Sequence, residues 1–204
     1  MKYRSFPAKT ERCPADLRSF SFRRFAGSLS AMKTLMTNNE LQAMLRRLAH
    51  QIADAAPRDC PVALVGIRRR GETLASRLMS LLAEAGVQPK YHGALDITLY
   101  RDDLTTIGPH AVVRGTEIDF DITGTWLVLV DDVLYTGRSV RAALTALTDL
   151  GRARATRLAV LVDRGLRELP IQPDFVGLRV ETTPDNDVQV KLAEEDGVDE
   201  VELR

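Results

Sequence analysis

The sequence predicts an α/β protein whose sheet is mostly parallel and carries helices on both faces. Three observations lead there. Short apolar runs at residues 62–67, 128–130 and 158–162 are bounded by turn residues, as strands buried on both sides are. Amphipathic patterns of helical period lie between these runs. Turns containing Gly71 and Gly137 each open such a pattern, the alternation that generates a parallel sheet.

The elements follow in order. Residues 1–36 show no convincing period and carry eight Lys/Arg against two Asp/Glu. They read as a poorly ordered basic extension ahead of a domain at residues 37–204, and they lack the continuous apolar core of a secretory signal. Leu41, Met44, Leu45, Leu48 and Ile52 share one helical face, with Asn38 or Asn39 as the expected N-cap and Pro57 as the stop. Residues 62–67 read as a strand. Gly71 opens a helix bearing Leu74, Leu78, Leu81 and Leu82, which Gly86 stops. Residues 94–100 read as a third strand, and residues 101–120 as a long polar loop of the kind that is usually functional. The strand at 128–130 leads into a helix over 138–150 with Gly151 as its stop. Residues 158–162 form another buried strand, and short strands are expected at 175–180, 188–192 and 198–203.

Composition narrows the class. The chain has 204 residues, 45% hydrophobic and 27% charged, which suits one globular domain. No apolar run approaches membrane-span length. Cys13 and Cys60 make no disulfide framework, and His50, His92 and His110 show no zinc spacing, so a reducing, cytoplasmic setting is expected. Net charge is zero overall, but the chain after residue 36 is net acidic by six, which argues against non-specific nucleic-acid binding.

The most informative segment is the strand end at Asp131 and Asp132, followed by Val133, Leu134, Tyr135, Thr136, Gly137, Arg138 and Ser139. Ligands of open α/β sheets bind beyond the carboxyl ends of the strands. Two carboxylates there suit sugar hydroxyls, and a Thr-Gly-Arg-Ser turn at a helix N-terminus suits a phosphate. Helix capping alone could explain the Asp pair taken by itself. The whole segment resembles the signature with which type I phosphoribosyltransferases bind 5-phosphoribosyl-1-pyrophosphate (PRPP). Neither a Gly-x-Gly-x-x-Gly nor a Gly-Lys-Thr/Ser motif is present.

Three further stretches complete the pattern. Arg68, Arg69, Arg70 and Gly71 lie between a strand and a helix and make a second anion site, suited to pyrophosphate. Asp96 to Leu104 starts the long loop, from which Arg101 would reach the leaving group while the loop excludes water. Asp163 and Arg164, after the strand at 158–162, stand where a base would be recognised.

Taken together, "DITLYRDDL", "VDDVLYTGRSVRAAL" and "LAVLVDRGLRELPI" resemble the PyrR family, pyrimidine operon attenuation proteins that are also uracil phosphoribosyltransferases. The resemblance covers residues 39–204. It implies a type I phosphoribosyltransferase fold with a small hood, homo-oligomers (dimers or tetramers), and Mg²⁺ carried by PRPP rather than by protein ligands. It implies conversion of uracil and PRPP to UMP and pyrophosphate, with Asp131, Asp132 and Arg101 as catalytic residues. It also implies UMP-dependent binding of a pyr leader mRNA stem-loop, for which Arg47, His50 and Arg167 match. Leu166 stands where the family usually has His, and Gln172 where it has Arg, so phosphate contacts there are weakened. Two other readings stay open: an RNA-binding regulator with vestigial transferase activity, and a transferase for another base.

Overall fold

The structure, a computed structural model, describes residues 33–102 and 115–204. Helix α1 (Asn38–Ala55) begins one residue earlier than its asparagines suggest. Thr37 is the N-cap: the Glu40 carboxylate accepts both its backbone N–H and its hydroxyl at 2.9 Å, so orphan donors at the helix start are satisfied from within. The expected face is buried through Leu41, Leu45, Leu48 and Ile52, with Met44 half-buried beside them. Strand β2 (Val62–Ile67) is buried along its whole length. Helix α2 (Arg70–Glu84) follows, then β3 (Tyr91–Leu95).

The strand expected at 94–100 is displaced. β3 ends at Leu95 and a 3₁₀ turn occupies Thr98–Tyr100. The reason is local: the Asp96 carboxylate accepts the Thr98 N–H at 2.8 Å and so offers the backbone a turn in place of the ladder. Of the long loop at 101–120, residues 103–114 lie outside the described residues.

Strand β4 (Trp126–Leu134) runs through both aspartates rather than ending at them. Helix α3 (Arg138–Leu150) starts after Gly137 and stops before Gly151, and both glycines have positive φ. Strands β5 (Ala155–Asp163) and β6 (Phe175–Arg179) complete the main sheet, order β3-β2-β4-β5-β6, in which every pairing is parallel. Along β4, Val128 and Val130 face α1 and α2, while Leu127 and Leu129 face α3. This alternation gives the sheet two separate cores, as the continuous apolar run requires.

A second, three-stranded antiparallel sheet forms the hood, from β1 (Lys33–Met36), β7 (Val188–Lys191) and β8 (Glu200–Leu203), with the single turn α4 (Ala193–Asp196) between the last two. Strand β1 moves the domain boundary. Residues 33–36 were expected in the extension, yet Lys33 pairs with Leu203 and Thr34 with Glu202, and Leu35 and Met36 are buried. Two buried side chains in a four-residue strand are too few to show as a period in sequence. The hood is tied to α2 by Arg77, which donates to the Asp199 carboxylate at 2.7 and 2.9 Å and also to Glu194. Both acids lie below the usual carboxylate range, chiefly because of that guanidinium. No described helix is long and apolar enough to cross a membrane.

Candidate active site

Three glycines bring two helix N-termini to the same end of the sheet. A Cβ on Gly71 would lie 2.4 Å from the Val130 carbonyl oxygen, and one on Gly66 would lie 2.3 Å from that of Gly71. Only residues without side chains let α2 press against β4 just before the Asp pair. On the other side, Gly137 turns the chain from β4 into α3. The sheet edge is thus flanked by the residues 68–71 loop and the residues 135–139 loop.

A cavity of about 530 Å³ opens between β4, the latter loop and the start of α3. Arg101, Asp102, Asp131, Val133, Leu134, Tyr135, Thr136, Gly137, Arg138, Ser139 and Val140 line it. The structure therefore brings together Asp131, Arg101 and the whole run of residues 133–139. Asp132 points elsewhere. Neighbouring residues of a strand face opposite sides, so Asp131 shares the α3 side with Leu129, while Asp132 lies on the α2 side where the charge of Arg70 acts on it. Asp131 is 8% exposed; burial, and next the Asp132 charge, push its carboxyl well above the usual range. Burial also raises Asp132, against which hydrogen bonding and Arg70 pull down.

The three arginines are not equivalent. Arg68 is ion-paired with Glu117 at 2.6 Å and more loosely with Glu72 at 3.6 Å, yet its Nε and Nη2 make no aligned hydrogen bond. Arg70 pairs with Asp196 of the hood at 3.0 Å, and its buried Nε has no hydrogen-bond partner. Arg69 is exposed. Arg138 is held by Asp102 and Glu168, each at 2.6 Å, and Arg141 lies 3.3 Å from Asp102. These acidic partners were missed from sequence. Asp102 adjoins Arg101 and could have been suspected; Glu117, Glu168 and Asp196 lie 30 to 126 residues from the arginines they meet and left no local signal.

A phosphoribosyl transferase domain model matches residues 32–196. "Bifunctional protein PyrR" of Thermus aquaticus is 56% identical over 169 residues, which is 83% of this chain and 93% of that protein. The protein of the same name from Roseiflexus is 53% identical over 167 residues, 81% of this chain and 90% of its own length. The chain belongs to the PyrR family.

Solved hypoxanthine phosphoribosyltransferases share the fold of this PyrR-family chain. That of Trypanosoma cruzi aligns at a TM-score of 0.61 and 16% identity, covering 84% of this chain and 95% of the other. The parallel sheet with a hood is therefore a type I phosphoribosyltransferase fold.

The residues expected at the base and RNA sites of a PyrR chain behave differently from one another. Arg164 is 5% exposed. Its Nη2 donates to the carbonyls of Asn186 (2.5 Å) and Thr183 (3.2 Å), and its guanidinium stacks 4.1 Å from the Tyr135 ring centroid. It fastens residues 182–186 to the cavity wall and does not line the cavity. Asp163 accepts from Gly165 N–H at 3.0 Å and Arg167 Nη2 at 2.6 Å. Arg47 and His50 are exposed on α1, with Arg47 donating to the Gly177 carbonyl. Arg167, expected at an RNA surface, turns inward. It donates to the carbonyls of Tyr135 (2.9 Å) and Ile171 (3.0 Å) as well as to Asp163. A half-buried guanidinium beside backbone carbonyls finds its partners there, which a basic loop in sequence does not reveal.

Proposed function

We propose that this PyrR-family phosphoribosyltransferase converts uracil and PRPP to UMP and pyrophosphate. The observation that carries the reading is the convergence on one strand end: Asp131 beside a loop and helix N-terminus suited to a phosphate, with residues 68–71 pressed against β4 from the other side. The buried Arg70 Nε, which has no hydrogen-bond partner, suits an anionic oxygen of a pyrophosphate, and Arg68 would exchange its Glu117 and Glu72 carboxylates for others. In the reaction the bond from ribose C1 to the pyrophosphate oxygen breaks, uracil N1 bonds to C1, and the N1 proton leaves. Asp131 from the cavity side and Asp132 from the α2 side, where Arg70 acts on it, flank the strand end at which the ribose hydroxyls would lie, and their charge favours the positive charge that grows at C1. Their raised affinity for protons suits either to take the N1 proton. Thr136, Gly137, Arg138 and Ser139 bind the 5′-phosphate, while Arg68, Arg69, Arg70 and Arg101 bind pyrophosphate. Two adjacent, partly desolvated carboxylates suit Mg²⁺ arriving with PRPP, which would neutralise charge on the leaving group. Asp163 and Arg164 shape the base site by holding the loops around it. A panel of bases incubated with PRPP and Mg²⁺ tests this reading.

The word "bifunctional" in the relatives' name supports a second role, UMP-dependent binding of a pyr leader stem-loop. Arg47 and His50 on the outer face of α1 would contact phosphates. With Arg167 spent internally and Leu166 and Gln172 uncharged, that face is weakly basic.

A further inference from the structure

We propose that Asp96 is a positioning residue for PRPP, acting through Arg101. One carboxylate gathers both ends of a long excursion of the chain. Its Oδ1 accepts the Thr98 N–H at 2.8 Å and the Thr98 hydroxyl at 2.5 Å, on the outgoing side. Its Oδ2 accepts the Gly115 N–H at 3.1 Å, on the returning side, 19 residues later. The Asp96 N–H in turn donates to the Thr116 hydroxyl at 3.2 Å. One step further back, Ala94 and Glu117 exchange two backbone hydrogen bonds, at 2.8 and 2.9 Å. Among the described residues the excursion is thus closed at its base by the Asp96 carboxylate, the Thr116 hydroxyl and the Ala94–Glu117 bridge, and closing a loop of this length carries an entropic cost that such a clasp offsets.

What the clasp fixes is the direction of the outgoing strand end. From Asp96 the chain makes one 3₁₀ turn, with Tyr100 N–H donating to the Ile97 carbonyl at 2.9 Å, and delivers Arg101 and Asp102 to the cavity wall. The far side of that short segment is pinned to α3: the Tyr100 hydroxyl donates to Asp149 at 2.7 Å, and Asp102 accepts from Arg138 at 2.6 Å. Arg101 therefore sits between two anchors, and Asp96 is the one that does not touch the ligand cavity. Loss of the Asp96 acceptors releases the near anchor and lets Arg101 drift by the small distance that matters for a charge-assisted contact.

The inference rests on the proposed use of PRPP, and a double-mutant cycle separates the two. Binding of PRPP with Mg²⁺ is measured by calorimetry, and KM for PRPP and for uracil by initial rates, on wild type, Asp96→Ala, Arg101→Ala and the double variant. The expected result is a roughly tenfold loss of PRPP affinity in Asp96→Ala, with uracil KM changed less than about twofold. In the Arg101→Ala background the Asp96 substitution is expected to add almost nothing. Asp96→Asn, which keeps one acceptor oxygen, is expected to fall between wild type and Asp96→Ala and replaces the latter if it does not fold. Unchanged PRPP affinity in a folded Asp96 variant overturns the proposal, as does a full additive loss on top of Arg101→Ala. Failure of the wild type to bind PRPP at all would instead overturn the reading of the whole site.

Discussion

Gly71 lies so close to Val130 that a methyl group on it would sit 2.4 Å from the Val130 carbonyl oxygen. This approach lets the N-terminus of α2 share the sheet edge with the Asp pair. Gly71→Ala is expected to force α2 away from β4 at a cost of ~1–3 kcal/mol, as overpacking of a tight site does. Melting temperature should fall and KM for PRPP should rise. Unchanged values of both would show that the approach is not needed.

In the proposed mechanism the Asp pair sets function against stability. Asp132→Asn is expected to lower kcat at least about a hundredfold while the fold persists, because the amide keeps shape and loses charge. Folded-state burial holds both carboxyls above the usual range. The stability contributed by their protonated forms is fully present below the unfolded value of about 3.9 and is lost as pH rises through the raised folded values. Asp131→Asn should therefore melt higher than wild type at pH 7, by about 2–4 °C for each ~1 kcal/mol relieved, and the gap should close towards pH 4. A gap that widens on acidification would contradict the assignment.

Truncation tests the revised boundary. A chain starting at Lys33 keeps β1, and one starting at Thr37 loses it together with buried Leu35 and Met36. Each of those side chains contributes ~1.5–3 kcal/mol by burial. The shorter chain is expected to melt at least about 6 °C below the longer one. Equal melting temperatures would show that β1 contributes nothing.

Much of this arrangement was legible in the sequence because its signals are local. The run from Asp131 to Ser139 encodes strand, turn and helix start within nine residues, and its cavity-lining part formed as expected. The face of α1 was legible for the same reason. The 3₁₀ turn after β3 was missed because one carboxylate, Asp96, outweighs the strand-like pattern around it. The inward turn of Arg167, and the pairing of Arg68, Arg70 and Arg138 with distant acids, depend on tertiary neighbours. Charge in a sequence shows that a partner is needed and does not show which one.

The proposed RNA surface yields a gain-of-function test. Leu166 is 40% exposed and has φ of 57°, a conformation that His adopts more readily than Leu. The unaltered chain is expected to bind a pyr-type stem-loop weakly at physiological salt. Leu166→His with Gln172→Arg should tighten binding, and the added Arg should steepen the dependence of log K on log salt by about 1. Tight binding by the unaltered chain, strengthened by UMP, would contradict this.

Uracil transfer is distinguished from every other reading by pyrophosphate release from PRPP and Mg²⁺ in the presence of uracil, cytosine, hypoxanthine or guanine, with the nucleotide product identified. UMP and pyrophosphate in equal amounts are expected with uracil, and no comparable turnover with the other bases. A purine nucleotide as the main product, or no nucleotide from any base, would contradict uracil transfer.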